Sequence, residues 1–333
     1  MTAPSMRRAL LETRGLEIQF DTRRGIARAV NELDLTLYEG ERFGLVGESG
    51  SGKTTTLLGL LRLIEEPGRI AAGEILLDGV DLLKLSDEAM RRVRLSRIAM
   101  VPQGAMNSLN PVIRIGDQMR LTILEHERDV KRDEADDRIR ELLEMVGLLP
   151  TVARLYPHEL SGGMKQRVCI ATAICLGPQL ILADEPTSAL DVVVQRQIMQ
   201  TLRSLQERIK ATVLLVGHDM GLMAQFVERI GIMYGGKLVE VGTVEEIFRN
   251  PRHPYTQLLI SSIPSFETRG TFKGIPGAGL SLLNPPGGCL FHPRCPDVMD
   301  ECATRAPALV QLQEDSHRAA CLLYEKGNHA GTT

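Results

Sequence analysis

The sequence predicts an α/β protein in which short buried strands, largely parallel, alternate with helices. Three observations predict it. Short apolar runs bounded by turn residues recur along the chain: LEIQF, LDLTLY, FGLVG, EILLDG, RIAMV, LILAD, TVLLVG, RIGIMY and KLVEVG. Helical patterns fill several of the gaps, and a helix between buried strands implies right-handed crossovers and a largely parallel sheet. The strand FGLVG also runs straight into a glycine-rich loop, GESGSGKT, and then into the apolar helical run TTLLGLLRLI.

Each stretch has its own texture. Residues 16–48 read as extended segments separated by turn signals at Arg24-Gly25 and Glu39-Gly40-Glu41. Residues 104–165 are charge-rich with helical periodicity and no strand signal, so they are expected to form a helical subdomain inserted between two core strands. After about residue 250 the chain turns proline-rich, with Pro251, Pro254, Pro264, Pro276, Pro285, Pro286, Pro293, Pro296 and Pro307 among its 17 prolines. Such a loop-rich tail supplies little core of its own. The expected division is 10–250 for the main domain and 251–333 for a small C-terminal one.

Composition narrows the class. The 333 residues carry 39 Lys+Arg against 42 Asp+Glu, a net charge of −3, with 43% hydrophobic and 24% charged residues. These values exclude collagen-like, disordered and strongly basic nucleic-acid-binding chains. Trp is absent and aromatics are 4%, which argues against base-stacking platforms. The longest apolar stretch, Val168 to Ala183, is broken by Gly177, Pro178 and Gln179, so no membrane span is expected. The first residues lack the apolar core of a secretory signal, and the expected location is cytoplasmic.

Gly47 to Thr54 fits G-x-x-x-x-G-K-[ST]. Glycines let a backbone turn tightly and bring its N–H groups to phosphate oxygens, and the helix that follows adds its N-terminal dipole. The expected cradle is Gly47, Ser49, Gly50, Ser51, Gly52 and Lys53, with Thr54 on Mg2+ and Thr55 beside it; Lys53 reaches the β- and γ-phosphates. LILADEP places a carboxylate at the end of an apolar strand. Asp184 is expected to hold Mg2+ through water, and Glu185 to orient or activate the attacking water. The combined expectation is binding and hydrolysis of a nucleoside triphosphate.

LSGGMKQR (160–167) puts Ser161, Gly162 and Gly163 ahead of a helical run, a second backbone anion site. It precedes LILADEP by about 20 residues and is followed by SALD (188–191) and GHD (217–219). This ordered set resembles the ATP-binding cassette (ABC) ATPases over most of residues 10–250. The resemblance implies a P-loop NTPase domain with a mixed-sheet core, an antiparallel β subdomain and an inserted helical subdomain. It implies that two cassettes pack head to tail, so that Ser161, Gly162 and Gly163 serve a nucleotide bound mainly by the partner. It makes Gln103 the glutamine that approaches Mg2+ and water, His218 the switch histidine at the γ-phosphate, Asp191 the acid of a loop crossing the dimer interface, and Phe20 the adenine-stacking aromatic. Phe20 also reads as an ordinary core strand residue.

The tail, with HPYTQLLISSIP, GIPGAG and NPPGGCLFHPRCP, resembles the ATPase subunits of oligopeptide and dipeptide importers over about 250–325. Related members serve nickel, glutathione or opine uptake. The resemblance implies a second, paralogous cassette subunit, two transmembrane permeases and an extracytoplasmic solute-binding protein, with no nucleic acid. It places the chain peripherally on the cytoplasmic face of the inner membrane. Rival classes are a soluble ABC ATPase of DNA repair or translation, an exporter ATPase, and a regulatory metal–sulfur protein.

Of six cysteines, Cys169 and Cys175 lie in an apolar helical run and read as core. Cys289, Cys295, Cys302 and Cys321 are spaced C-x5-C-x6-C-x18-C, without the close pairing of most zinc sites. Four thiolates in a weakly cored tail form a sensible metal staple. The resemblance favours a 4Fe-4S cluster, with Zn2+ as the alternative. His292 reads as a local hydrogen-bonding residue.

Overall fold

The computed structural model describes residues 7–104, 108–188, 190–263, 274–312 and 316–325. Along the chain run β1 (Ala9–Thr22), β2 (Gly25–Tyr38), β3 (Arg42–Val46), α1 (Lys53–Leu60), β4 (Gly68–Leu77), β5 (Val80–Asp81), α2 (Asp87–Val93), β6 (Ile98–Val101), α3 (Ile115–His126), α4 (Arg132–Met145), α5 (Gly162–Ala173), β7 (Leu180–Asp184), α6 (Val192–Ile209), β8 (Thr212–Gly217), α7 (Met220–Phe226), β9 (Arg229–Tyr234), β10 (Lys237–Thr243), α8 (Val244–Arg249), α9 (Pro254–Ser261), β11 (Val310–Gln311), β12 (Arg318–Ala319) and α10 (Leu322–Glu325). They build two compact units. One comprises the chain up to Leu37, Phe43–Leu83, and everything from Gly217 on; the other comprises Tyr38–Arg42 and Lys84–Val216.

The first unit holds two sheets. An antiparallel sheet has the order β2-β1-β4-β5. Its long strand β1 changes parity midway. Leu11 and Thr13 face inward first, then Leu16 and Ile18. An even alternation forbids that switch, and the register with β4 slips between Arg14 and Glu17, where one extra β1 residue is inserted. Gly15 takes φ +53° at the slip. Thr13, buried, both donates to Leu33 O and accepts from Leu35 N–H, so its hydroxyl is satisfied by β2. The other strands of this unit run in the order β11-β12-β10-β9-β3. β3 and β9 are parallel and wholly or nearly buried, as expected of strands covered on both faces. β10 turns back antiparallel on β9, so the sheet is mixed, and the tail adds β12 and then β11 to the β10 edge.

The tail is anchored by one buried carboxylate. Glu240 on β10 accepts the backbone N–H groups of Arg252 (2.7 Å) and His253 (2.8 Å), and His317 Nε2 lies 2.6 Å from it. A buried acid is tolerable only with such a full set of partners. His253 caps α9, its Nδ1 accepting from Tyr255 N–H, and burial lowers its pKa to about 4, so it stays neutral.

In the second unit β8-β7-β6 form a parallel ladder, with Leu180–Asp184 of β7 buried at every position. The charge-rich stretch forms α3 and α4 followed by two short 3-10 turns, Pro150–Arg154 and Pro157–Glu159, with no strand among its described residues. α4 buries Ala135, Ile139, Leu142 and Leu143, a stripe at helical spacing. Arg120 of α3 donates to Asp136 of α4 at 2.6 Å. α6 buries Ile198, Met199, Leu202 and Leu205 and ends on Lys210 in the left-handed conformation.

Gly73 of β4 sits opposite the β1 slip at φ +96°, and a Cβ there would lie 2.5 Å from Gly15 O. Gly73→Ala is expected to lower stability by more than about 1 kcal/mol, read as a lower urea midpoint.

Candidate functional site

The first unit carries the phosphate loop between β3 and α1. Three glycines leave no room for a side chain or a usual φ. A Cβ on Gly47 would stand 2.2 Å from Met233 O; Gly50 has φ +78°; Gly52, the N-terminal cap of α1, has φ +101° and a Cβ would stand 2.1 Å from Ala29 O. The loop is tied to the strands beneath it by Gly236 N–H to Ser51 O (3.0 Å). Lys53 is buried, and its ammonium donates to Gly47 O (2.8 Å), Glu48 O (2.9 Å) and Ser51 Oγ (3.4 Å). The lysine thus folds back over its own loop, where carbonyls satisfy the charge. Thr54 and Thr55 follow in the first turn of α1.

In the same unit, Phe20 pairs with Gly68 across the β1–β4 ladder, and its ring leaves no space for a Cβ there (2.6 Å). His218 is exposed just after β8 and just before Asp219, which caps α7 by accepting from Leu222 N–H.

The second unit gathers the acids. Asp184 ends β7 and is fully buried. Glu185 follows in the left-handed region, φ +42°, with its N–H donating to Val216 O (3.0 Å). A non-glycine held there stores local strain, common at reacting positions. Gln103 Nε2 donates to Glu185 Oε2 at 3.0 Å, so residues 82 apart in sequence meet. Ser161 caps α5, its Oγ accepting from Met164 N–H (3.3 Å), and no acid occupies the first turn. Gly163 lies where a Cβ would be 2.7 Å from Val194 Cγ1, so α5 and α6 touch through this glycine. Asp191 caps α6, accepting from Val193 and Val194 N–H at 3.0 Å each. Val192 and Val193 beside it are 80% and 67% exposed. SALD is described except for Ala189.

The tail places its four cysteines around one pocket, lined also by His253, Phe291 and Leu322. Gly288, at φ +63° with a Cβ position 2.3 Å from Cys302 O, allows Cys289 N–H to bond that carbonyl (2.8 Å). Burial raises the Cys289 and Cys295 pKa values and takes Cys321 to about 11, so these thiols are neutral. His292 Nδ1 lies 2.9 Å from Cys289 O, a local contact. Against the expected ligand set, no group of three or more His, Cys, Asp or Glu among the described residues stands in a metal-holding arrangement. Cys169 and Cys175 are buried core residues whose thiols burial pushes up to about 12.

Sequence reading passed over a constellation beside the phosphate loop. Arg294 grips the Glu48 carboxylate (Nη1–Oε2 2.8 Å, Nη2–Oε1 3.0 Å), and Tyr255 Oη accepts from Glu48 N–H (2.9 Å). The motif G-x-x-x-x-G-K-[ST] leaves the second position open, so no signal in the sequence marked Glu48. No described helix is long and apolar enough to cross a membrane.

The loop's dependence on glycine is directly testable. Gly52→Ala is expected to weaken ADP binding at least about tenfold, or 1.4 kcal/mol, by isothermal titration.

Comparison with known proteins agrees with this arrangement. The ABC transporter family matches residues 30–188, and the oligopeptide/dipeptide transporter C-terminal region matches residues 239–302. The chain is 40% identical to the dipeptide transport ATP-binding protein of Haemophilus influenzae, covering 96% of this chain and 98% of that one. It is 40% identical to the oligopeptide transport ATP-binding protein of Bacillus subtilis, covering 95% and 89%. A dimeric ATP-binding cassette solved in a post-hydrolysis state with ADP and Pi aligns at a TM-score of 0.64 and 30% identity, covering 71% of this chain and 99% of that chain. A glycine-bound phosphate loop, an acid-tipped strand and a tail matched along 239–302 all point one way: the chain is an ABC-type ATPase and belongs to the ATP-binding subunits of the oligopeptide/dipeptide import family.

Proposed function

We propose that the chain hydrolyses ATP to energise import of di- or oligopeptides. The observation that carries this is the joint presence of a full hydrolytic set with the peptide-transporter C-terminal region at residues 239–302. In this reading Gly47 to Lys53 hold the phosphates, and Phe20 stacks on adenine. Hard oxygen donors suit Mg2+, and Thr54, Gln103 and Asp184 would hold it, supplying neutralisation of phosphate charge. Glu185, hydrogen-bonded to Gln103 and set on a strained backbone, polarises the attacking water. His218 contacts the γ-phosphate. Ser161, Gly162, Gly163 and Asp191 face a nucleotide held mainly by a second cassette, a paralogue of this chain. Two permeases and an extracytoplasmic solute-binding protein complete the importer, with this subunit peripheral on the cytoplasmic face of the inner membrane. Residues 10–250 act as the cassette and 251–333 as its C-terminal addition.

Deleting the gene is expected to abolish uptake of labelled di- and oligopeptides while leaving glutathione, opine and Ni2+ uptake intact. Glu185→Gln should bind ATP like the parent, fail to restore uptake, and lower turnover of the assembled complex by about 100-fold or more. Retained hydrolysis would remove Glu185 from the proposed role.

We further infer that the cysteine pocket receives a 4Fe-4S cluster in the cell. Support comes from donor chemistry: four sulfur atoms from one pocket, shielded by Phe291 and Leu322. Cys289, Cys295, Cys302 and Cys321 would hold it, and it would cross-link a tail that packing alone holds weakly. Protein purified without oxygen should contain about four irons and four sulfides per chain. Stoichiometric zinc without iron would replace the cluster by Zn2+.

A further inference from the structure

Glu48 is held at three points. Its N–H donates to Tyr255 Oη, its carbonyl accepts from Lys53 Nζ, and its carboxylate receives the two-pronged fork of Arg294. The Arg294 side chain is only 7% exposed and Glu48 32%. The guanidinium is fixed on its other edges as well. Nε donates to Pro276 O (2.9 Å), and the group lies 5.9 Å from the centre of the Tyr234 ring. Pairing with Glu48 raises the Arg294 pKa further, against the opposing effect of burial. A paired fork of this kind fixes orientation as well as charge.

Arg294 ends the short 3-10 turn His292–Arg294, and Cys295 follows it directly. The turn starts beside Phe291, whose ring packs on Tyr234 (5.2 Å) and Tyr255 (5.3 Å). Phe291, His292 and Cys295 all line the cysteine pocket. One short segment therefore faces the thiols on one side and grips the phosphate loop on the other.

We propose that Arg294 is a positioning residue of the nucleotide site and couples it to the cysteine pocket. This rests on the loop being the ATP site. When Lys53 turns toward phosphate, Glu48 O loses a donor; Arg294 and Tyr255 keep the loop backbone in place through that exchange. A bound nucleotide stiffens Glu48, hence Arg294, hence the Cys295 turn. Coupling of this kind is reciprocal in direction, so modification of Cys295 also weakens nucleotide binding.

The test measures two quantities on the full chain, treated with chelator in air so that its four tail thiols carry no metal. One is ADP affinity by titration; the other is the rate of N-ethylmaleimide modification at Cys295, read by peptide mass, with and without ADP. The parent should bind ADP, and saturating ADP should slow modification of Cys295 at least about threefold. Arg294→Ala should weaken ADP about tenfold, and saturating ADP should no longer protect Cys295. Arg294→Lys keeps the charge without the fork and should recover affinity only in part. Glu48→Gln should reproduce Arg294→Ala, which keeps the proposal testable if that variant misfolds. Arg305→Ala removes another tail arginine, paired with Glu325, and should change neither quantity. Parent-like affinity or undiminished protection in Arg294→Ala and Glu48→Gln would overturn the coupling. Failure of the parent itself to bind ADP would overturn the nucleotide reading instead.

Discussion

The conformation of the six residues between β3 and α1 is the constraint on which the molecule depends. Backbone carbonyls of Met233 and Ala29 press so close to Gly47 and Gly52 that any side chain collides with them. That tightness fixes the backbone path of the loop, over which the Lys53 ammonium folds back onto Gly47 O and Glu48 O. Strands β3 and β9, parallel and buried, provide the floor, and Gly236 fastens Ser51 to it. Binding of a highly charged phosphate needs donors fixed in advance, because donors ordered only on binding would spend affinity on their own ordering.

The second unit solves a different problem, holding two adjacent carboxylates at the end of a buried strand. β7 is buried along its whole length, so Asp184 at its tip is held by a strand with no freedom. Glu185 comes next, on a backbone turned into the left-handed region and pinned by Val216 O, and its carboxylate is steered by Gln103. The glutamine precedes the helical stretch α3–α4 in the chain, and one hydrogen bond joins it to the acid.

The tail contributes more than its irregular sequence suggests. Glu240 collects two backbone amides and His317, and Tyr234, Tyr255 and Phe291 form an aromatic trio that gives each contact about 0.5–1.5 kcal/mol beyond area burial. The trio sits directly against the Arg294–Glu48 pair. A small domain with little core gains its order by building on the cassette's last strands rather than by closing on itself.

By itself the sequence determined whatever is local: the glycine loop after a buried strand, the acid-tipped strand, and the helical stretch between residues 104 and 165. Each depends on neighbours a few positions away, and periodicity and residue chemistry report them. Tertiary structure alone decided the rest. β1, β2 and β4 extend well beyond their apolar runs, because ladder partners continue strands that propensity would end; the inserted residue near Gly15 reverses the facing of β1. The antiparallel return of β10 and the addition of β12 come from edges that a single strand does not announce. Arg294 and Glu48 meet across 246 residues, and four cysteines at irregular spacing converge on one pocket. Such pairings are set by the path of the whole chain, and no local pattern of hydrophobicity or charge encodes which distant residue lies at the other end.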